Sequence, residues 1–393
     1  MRCLIISASM GAGHDGVARE LGSRLSATGD HAEVVDMLDL LPFRLGAGLR
    51  RLYSGMVRFT PWLYELVYRV FFVARRRQPT VSPVVLAAMP GLRREVARYR
   101  PDVVVSTFHL AAQAVGRLRT GGGLDAPAAV VLVDFAVHRL WLHPGCDLFL
   151  CSHPAAARAV RAALGRPARS TGPVVPRRFH AVGSTGVTGD TAERAAARRG
   201  LGLPVTGPLV VLAGGSLGMG SGMRSAARAV AATGRYVPVV LCGRNERLRR
   251  ALRQDGVVAL GWVDDVPSLF GLASVLVENG GGGLTCAEAF AAGLPVVTYR
   301  PIPGHGRAGA HELASAGLSI LARCEARLLD ALDTLTAPAG SDRQVRAARA
   351  LFTEDPAVAV AELGRAGTPD RVRVMDQPAR PVARSGQGGV NAE

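Results

Sequence analysis

Leu209-Val210-Val211-Leu212-Ala213-Gly214-Gly215-Ser216-Leu217-Gly218 is the stretch that decides the architecture. Its apolar run shows no polar alternation, which predicts a strand buried on both faces, as in a parallel sheet. The glycines then predict a tight turn into a helix through Val230. About 200 residues earlier the same order appears: Cys3-Leu4-Ile5-Ile6, then Ser9-Met10-Gly11-Ala12-Gly13-His14, then an amphipathic helix through Leu25. Such a turn presents backbone N–H groups and a helix N-terminus, which together favour an anion. Short apolar strands recur among helical stretches at 103–106, 130–133, 239–242, 275–277 and 295–298. This alternation predicts an α/β chain of two Rossmann-like, doubly wound domains facing each other across a cleft. A length of 393 residues has room for both. The expected division is one Rossmann-like domain at 1–180, a second at 181–366 and a disordered, low-complexity tail at 367–393. The segment 171–204, rich in Gly, Thr, Pro and Arg, reads as the linker.

Composition narrows the function classes. Mean hydropathy is +0.20 and 48% of residues are hydrophobic, so the bulk of the chain is globular. All 47 basic residues are Arg, and the net charge is +16. The all-Arg usage reads as a coding bias, whereas the placement of the charge carries information. Residues 43–100 hold twelve Arg against two Glu, while 200–366 hold sixteen Arg against fourteen acids. A local basic zone implies an anionic partner. No nucleic-acid-binding module is recognisable and only 5% of residues are aromatic, so nucleic acid is not an expected partner. The six cysteines form no C-x-x-C pair and mostly sit in apolar strand-like runs, which reads as buried free thiols in a reducing compartment. No signal peptide and no membrane-spanning run is expected, which together with the thiols predicts a cytoplasmic protein. Neither glycine loop reads G-x-x-x-x-G-K-[ST] or G-x-G-x-x-G with a downstream acid, which disfavours a nucleoside triphosphatase and a hydride-transfer enzyme.

The second half adds specificity. Cys242-Gly243-Arg244-Asn245 ends one strand, and Leu260-Gly261-Trp262-Val263-Asp264-Asp265 ends another. Asn279-Gly280-Gly281-Gly282-Gly283-Leu284-Thr285-Cys286-Ala287-Glu288 is a second glycine run entering a helix. Thr285 and Glu288 are three apart and share a helical face. A carboxylate there can accept from two vicinal ribose hydroxyls while neighbouring N–H groups hold phosphate.

On these motifs the chain resembles glycosyltransferase family 28 of the GT-B fold, which includes monogalactosyldiacylglycerol synthases and the N-acetylglucosaminyltransferase that makes lipid II. The resemblance covers roughly residues 3–335. Met10-Gly11-Ala12-Gly13-His14 is similar to the family's glycine loop ending in His. Asp134-Phe135-Ala136-Val137-His138, Trp141 and His143-Pro144-Gly145 are similar to the diacylglycerol branch, as are Gly172-Pro173-Val174-Val175 and Phe179. The resemblance implies an inverting transfer from a UDP-sugar, which is a substrate, with no cofactor and no metal. It implies His14 or Asp134 as the catalytic group on the acceptor hydroxyl, with Gly11, Ala12, Gly13 and His138 on the acceptor side. It places the donor on Gly214, Gly215, Ser216, Leu217, Gly218, Arg244, Trp262, Val263, Gly282, Gly283, Leu284, Thr285 and Glu288. His305 stands where relatives carry a Gln that holds the sugar, which leaves galactose, glucose and N-acetylglucosamine open.

Between 43 and 77, Leu52, Met56, Phe59, Trp62, Leu63 and Leu66 recur at three- and four-residue steps among Arg residues, and Pro61 splits two expected helices. This predicts a peripheral element on the anionic inner face of a membrane, with a lipid or other hydroxyl acceptor nearby. Two other readings of the same fold are a tailoring glycosyltransferase on a soluble metabolite and a UDP-sugar epimerase.

Overall fold

The computed structural model describes residues 1–60, 62, 63, 66, 82–185, 191–215 and 222–367. The expected tail, Pro61 and Ser216, Leu217 and Gly218 lie outside the described residues. Two six-stranded sheets form the core, and every pairing in them is parallel. The first sheet holds β1 (Arg2–Ser7), β2 (His31–Asp36), β3 (Val103–Ser106), β4 (Ala128–Val131), β5 (Leu148–Cys151) and β6 (Ala168–Ser170), ordered β2-β1-β3-β4-β5-β6. The second holds β7 (Leu209–Ala213), β8 (Val237–Leu241), β9 (Val258–Leu260), β10 (Val275–Glu278), β11 (Val296–Tyr299) and β12 (Ile320–Ala322), ordered β12-β11-β10-β7-β8-β9. The inner strands β1, β3, β7 and β10 are buried along nearly their whole length, because helices cover both sheet faces.

Each sheet reverses its winding once, between β1 and β3 in the first and between β7 and β10 in the second. Chain segments leaving the carboxyl ends on either side of a reversal splay to opposite faces, which opens a crevice there. The quoted glycine stretches are the segments that leave β1, β7 and β10.

Two contacts seat the sheets' helices against each other. Phe135, which follows β4, joins the second sheet's core and meets Phe290 edge to face at 5.9 Å. Leu284, opening the helix Leu284–Ala291, reaches the helix Ala12–Ala27. The segment expected to be a linker carries the helices Arg177–Thr185 and Thr191–Gly200. Val175 and Phe179 anchor the first of them, with Phe179 set 5.9 Å from Phe270. The helix Pro356–Ala366 crosses back, and Ala357, Val360 and Ala361 pack with Cys3, Ile5 and Leu25 of the first core. Where the chain crosses, Arg24 donates to Asp355 (3.1 Å) and to Glu20 (2.7 Å), and Arg177 pairs with Asp355 (3.2 Å). No helix among the described residues is long and apolar enough to cross a membrane.

Candidate active site

The first wall of the cleft is built from the ends of β1, β3 and β4. Gly11 caps the helix Ala12–Ala27 with extended backbone, so His14 falls in the first turn. His14 Nδ1 lies 2.8 Å from the carbonyl of Thr107, at the end of β3. A carbonyl only accepts, so Nδ1 carries the proton and Nε2 keeps the lone pair. The next residue, Asp15, accepts from Ser7 Oγ at 2.9 Å. His14 meets Phe108 edge to face at 5.2 Å and tilts against Trp141 at 6.3 Å.

Asp134 is the charged centre of this wall. One oxygen accepts from Trp141 Nε1 (2.8 Å) and from His138 Nε2 (3.2 Å). Burial pushes the Asp134 carboxyl up, but the hydrogen bond from His138 and the imidazoles of His138, His305 and His14 outweigh it and hold it well below the carboxylate range. His109 sits behind, 5.2 Å from His138 and 5.8 Å from Trp141, and burial keeps its imidazole neutral. His305, at the start of the helix His305–Ser315, comes from the opposite domain, close enough to interact with Asp134, His138 and His14. Burial also pushes its proton affinity down. Four imidazoles thus surround one carboxylate.

The second wall holds a different chemistry. A cavity of about 710 Å³ is lined by Gly11, Gly13 and Gly16 on one side and by Gly214, Gly215, Trp262, Val263, Thr285 and Glu288 on the other. Glu288 faces it from the second turn of Leu284–Ala291. Burial raises the Glu288 carboxyl to about 7, against a lowering pull from Arg178. Glu278, at the end of β10, accepts from the N–H groups of Gly280 (2.7 Å) and Gly281 (2.9 Å) and from Thr298 Oγ1 (2.6 Å). This buried carboxylate fixes the path of the glycine run. Trp262 is 54% exposed, donates to Asp264 Oδ1 at 2.9 Å and lies under the Arg244 guanidinium at 5.3 Å. Asp265 caps the helix Val266–Leu272 by accepting from Ser268 N.

The expected residues therefore separate into groups. Gly214, Gly215, Trp262, Val263, Gly283, Leu284, Thr285 and Glu288 line one cavity, and Arg244 reaches it through Trp262. Gly11 and Gly13 line its other wall, and Ala12 opens the helix between them. Gly282 does not line the cavity. Its φ is +101°, and a Cβ there would come within 2.8 Å of Phe135, so this glycine is required by the contact between domains. His305 stands with the first wall's imidazoles, and His138 serves as a partner of Asp134. Sequence reading missed His109, Glu278 and Arg178. A His or Glu at the carboxyl end of an inner strand was the available signal for the first two.

Comparison with known proteins finds similar proteins for both halves of the chain. Residues 14–175 match the family model for monogalactosyldiacylglycerol (MGDG) synthase, and 208–337 match that for glycosyl transferases group 1. A processive diacylglycerol beta-glucosyltransferase of Bacillus pumilus is 23% identical over 344 residues, covering 85% of this chain and 86% of that protein. The protein of the same description from Bacillus mycoides is 23% identical over 359 residues, covering 85% of each. Among solved structures, Acinetobacter baumannii MurG superposes with a TM-score of 0.59 at 15% identity, over 93% of this chain and 99% of that one. A calicheamicin glycosyltransferase, CalG4, gives 0.56 at 18% identity, over 93% and 98%. The fold is GT-B.

Proposed function

We propose that this chain, which has the GT-B fold and a first half similar to monogalactosyldiacylglycerol synthases, is a glycosyltransferase that carries out an inverting transfer of a hexose or N-acetylhexosamine from a UDP-sugar to a hydroxyl of a membrane lipid, of diacylglycerol or polyprenyl-linked type. The observation that carries this reading is the shared cavity, with Gly11 and Gly13, which flank the turn leading to His14, on one wall and Glu288 with a helix N-terminus on the other. His14 Nε2 takes the proton of the acceptor hydroxyl as its oxygen attacks the anomeric carbon. The bond from that carbon to the diphosphate oxygen breaks on the opposite face, and UDP leaves with the electron pair. The first N–H groups of Leu284–Ala291 have no partner within their helix and stabilise the departing charge, without a metal or cofactor. Asp134 stabilises the imidazolium that forms. Glu288 accepts from the ribose hydroxyls, and Trp262 supports the base.

The membrane reading rests on an exposed apolar face. Phe43 is 94% exposed and held at φ +54°, where non-glycine residues are uncommon. Trp62 is 68% exposed, and Leu45, Leu52 and Leu66 are each more than half exposed. Apolar side chains beside a local Arg excess suit an anionic lipid surface, with the protein held peripherally at the inner face of the membrane. Flotation with vesicles containing phosphatidylglycerol should show salt-sensitive binding, and Phe43→Ser should weaken it by about tenfold, the scale of burying one aromatic side chain. No binding would favour the tailoring reading.

The main test incubates radiolabelled UDP-glucose, UDP-galactose and UDP-N-acetylglucosamine with total bacterial lipid. Label passing into an organic-extractable product is expected with one donor. Transfer only to a soluble alcohol would refute the lipid acceptor, and conversion of the donor alone would indicate an epimerase.

A further inference from the structure

Leu284 begins the helix on the donor wall, yet its side chain leaves that wall. A Cβ placed on Gly13 would lie 3.8 Å from Leu284 Cβ, and one on Gly16 would lie 2.6 Å from Leu284 Cδ2. Leu284 therefore fills the trough between two glycines three apart on the helix Ala12–Ala27, the turn that carries His14 and Asp15. It packs against the apolar cores of both domains. Three supports pin this turn. Thr107 O accepts from His14 Nδ1 and Ser7 Oγ donates to Asp15, both from strand ends of the same domain. The third, Leu284, belongs to the other domain and is the first residue of the helix whose N-terminus faces the donor.

We infer that Leu284 is a positioning residue: it transmits closure of the cleft over the donor to the turn holding His14, so that the imidazole is set when the donor helix is seated. A side chain at position 16 would meet Leu284 Cδ2 at 2.6 Å and force this contact to shift. The inference rests on His14 as the base in the proposed function.

The test uses the full chain in four forms: wild type, Leu284→Ala, Gly16→Ala and the double variant. Leu284→Ala should lower kcat by at least about tenfold, since small misplacements of a base are costly. The affinity for UDP-glucose by calorimetry should stay within about twofold, because the packing that is lost is against Gly13 and Gly16 of the opposite domain. In the double variant the new methyl occupies the vacated trough, so turnover should recover above that of Leu284→Ala. Leu284→Met should stay near wild type. Turnover of Leu284→Ala within twofold of wild type, a double variant that loses the product of the two single losses, or lost donor affinity at unchanged kcat would each overturn the inference. A readout independent of transfer is the ring ¹⁵N spectrum of His14 with and without UDP-glucose. UDP-glucose should move these signals in wild type and leave them unmoved in Leu284→Ala; the same response in both overturns it. If His14→Ala keeps its turnover while the spectra differ as expected, the base assignment fails and the mechanical link stands.

Discussion

After β1, residues 9–14 lead into a helix whose first turn presents an imidazole, anchored by a carbonyl and facing a carboxylate ringed by further imidazoles. After β10, residues 279–285 lead into a helix whose first turn presents backbone. The nearby carboxylate, Glu278, is spent on the N–H groups of Gly280 and Gly281. Both junctions are strand, glycine, helix, and both sit at a winding reversal. The difference lies in what the glycines serve. In the first, Gly16 makes room for Leu284 from across the cleft. In the second, Gly281 admits the backbone of Gly306, whose carbonyl oxygen would lie 1.9 Å from a Cβ there. In the proposed function the first wall moves a proton and the second holds charge and ribose. Substitutions on the two walls should therefore separate turnover from donor affinity.

The sharpest test of that separation is His14→Ala. Removing a general base costs about 10²-fold or more in kcat. Donor affinity by calorimetry should stay close to wild type, since the imidazole is anchored to Thr107 and faces the first wall. A variant that loses donor affinity as strongly as turnover would erase the distinction between the walls, and near-normal turnover would move the base role to Asp134.

Those walls were unequally legible in the sequence. Buried parallel strands are contiguous apolar runs and glycine turns are contiguous too, so β1, β7 and the turn after β1 read directly. Glu288 was readable because Thr285 and Glu288 lie within one helical turn. His109 was not, because its role comes from His138 and Trp141, which reach it from the segment between β4 and β5. In the glycine run at 280–283, Gly282 and Gly283 were read as serving a ligand. Gly281 and Gly282 meet Gly306 and Phe135, residues remote in the chain, and no local pattern distinguishes a glycine facing phosphate from one facing backbone. The return of Pro356–Ala366 to the first core was hidden for the same reason, since a small-residue apolar helix fits either sheet.

The second wall makes a prediction about pH. Free Glu288 titrates near 7 because burial penalises its charged form. In the proposed function ribose hydroxyls donate to the carboxylate, so donor binding should select the charged form and release a proton. Affinity for UDP-glucose, whose diphosphate does not titrate in this range, should rise about tenfold from pH 6 to pH 8. Proton release should show as a buffer-dependent calorimetric enthalpy near pH 7. In the protein without donor the sign is opposite for stability. An acid raised from 4.5 to about 7 on folding makes stability fall as pH climbs through that window. In Glu288→Gln the affinity profile should be flat; a profile identical to wild type would remove Glu288 from the ribose.

The smallest effect expected belongs to Trp262. Its ring is half exposed, tethered through Nε1 to Asp264, and capped by the Arg244 guanidinium. The tether fixes the ring before the donor arrives, so stacking on a flat base costs little side-chain entropy. A stacked aromatic pair contributes about 1 kcal/mol beyond its area, so Trp262→Ala should weaken UDP-glucose binding by about fivefold. Trp262→Phe keeps a stacking face but lacks the N–H to Asp264, and should fall between. Both variants should leave kcat at saturating donor unchanged, because nothing in this platform touches the first wall. A loss in kcat for Trp262→Ala equal to its loss in affinity would mean that base recognition and closure over His14 are one event, and the two walls would then have to be treated as a single site.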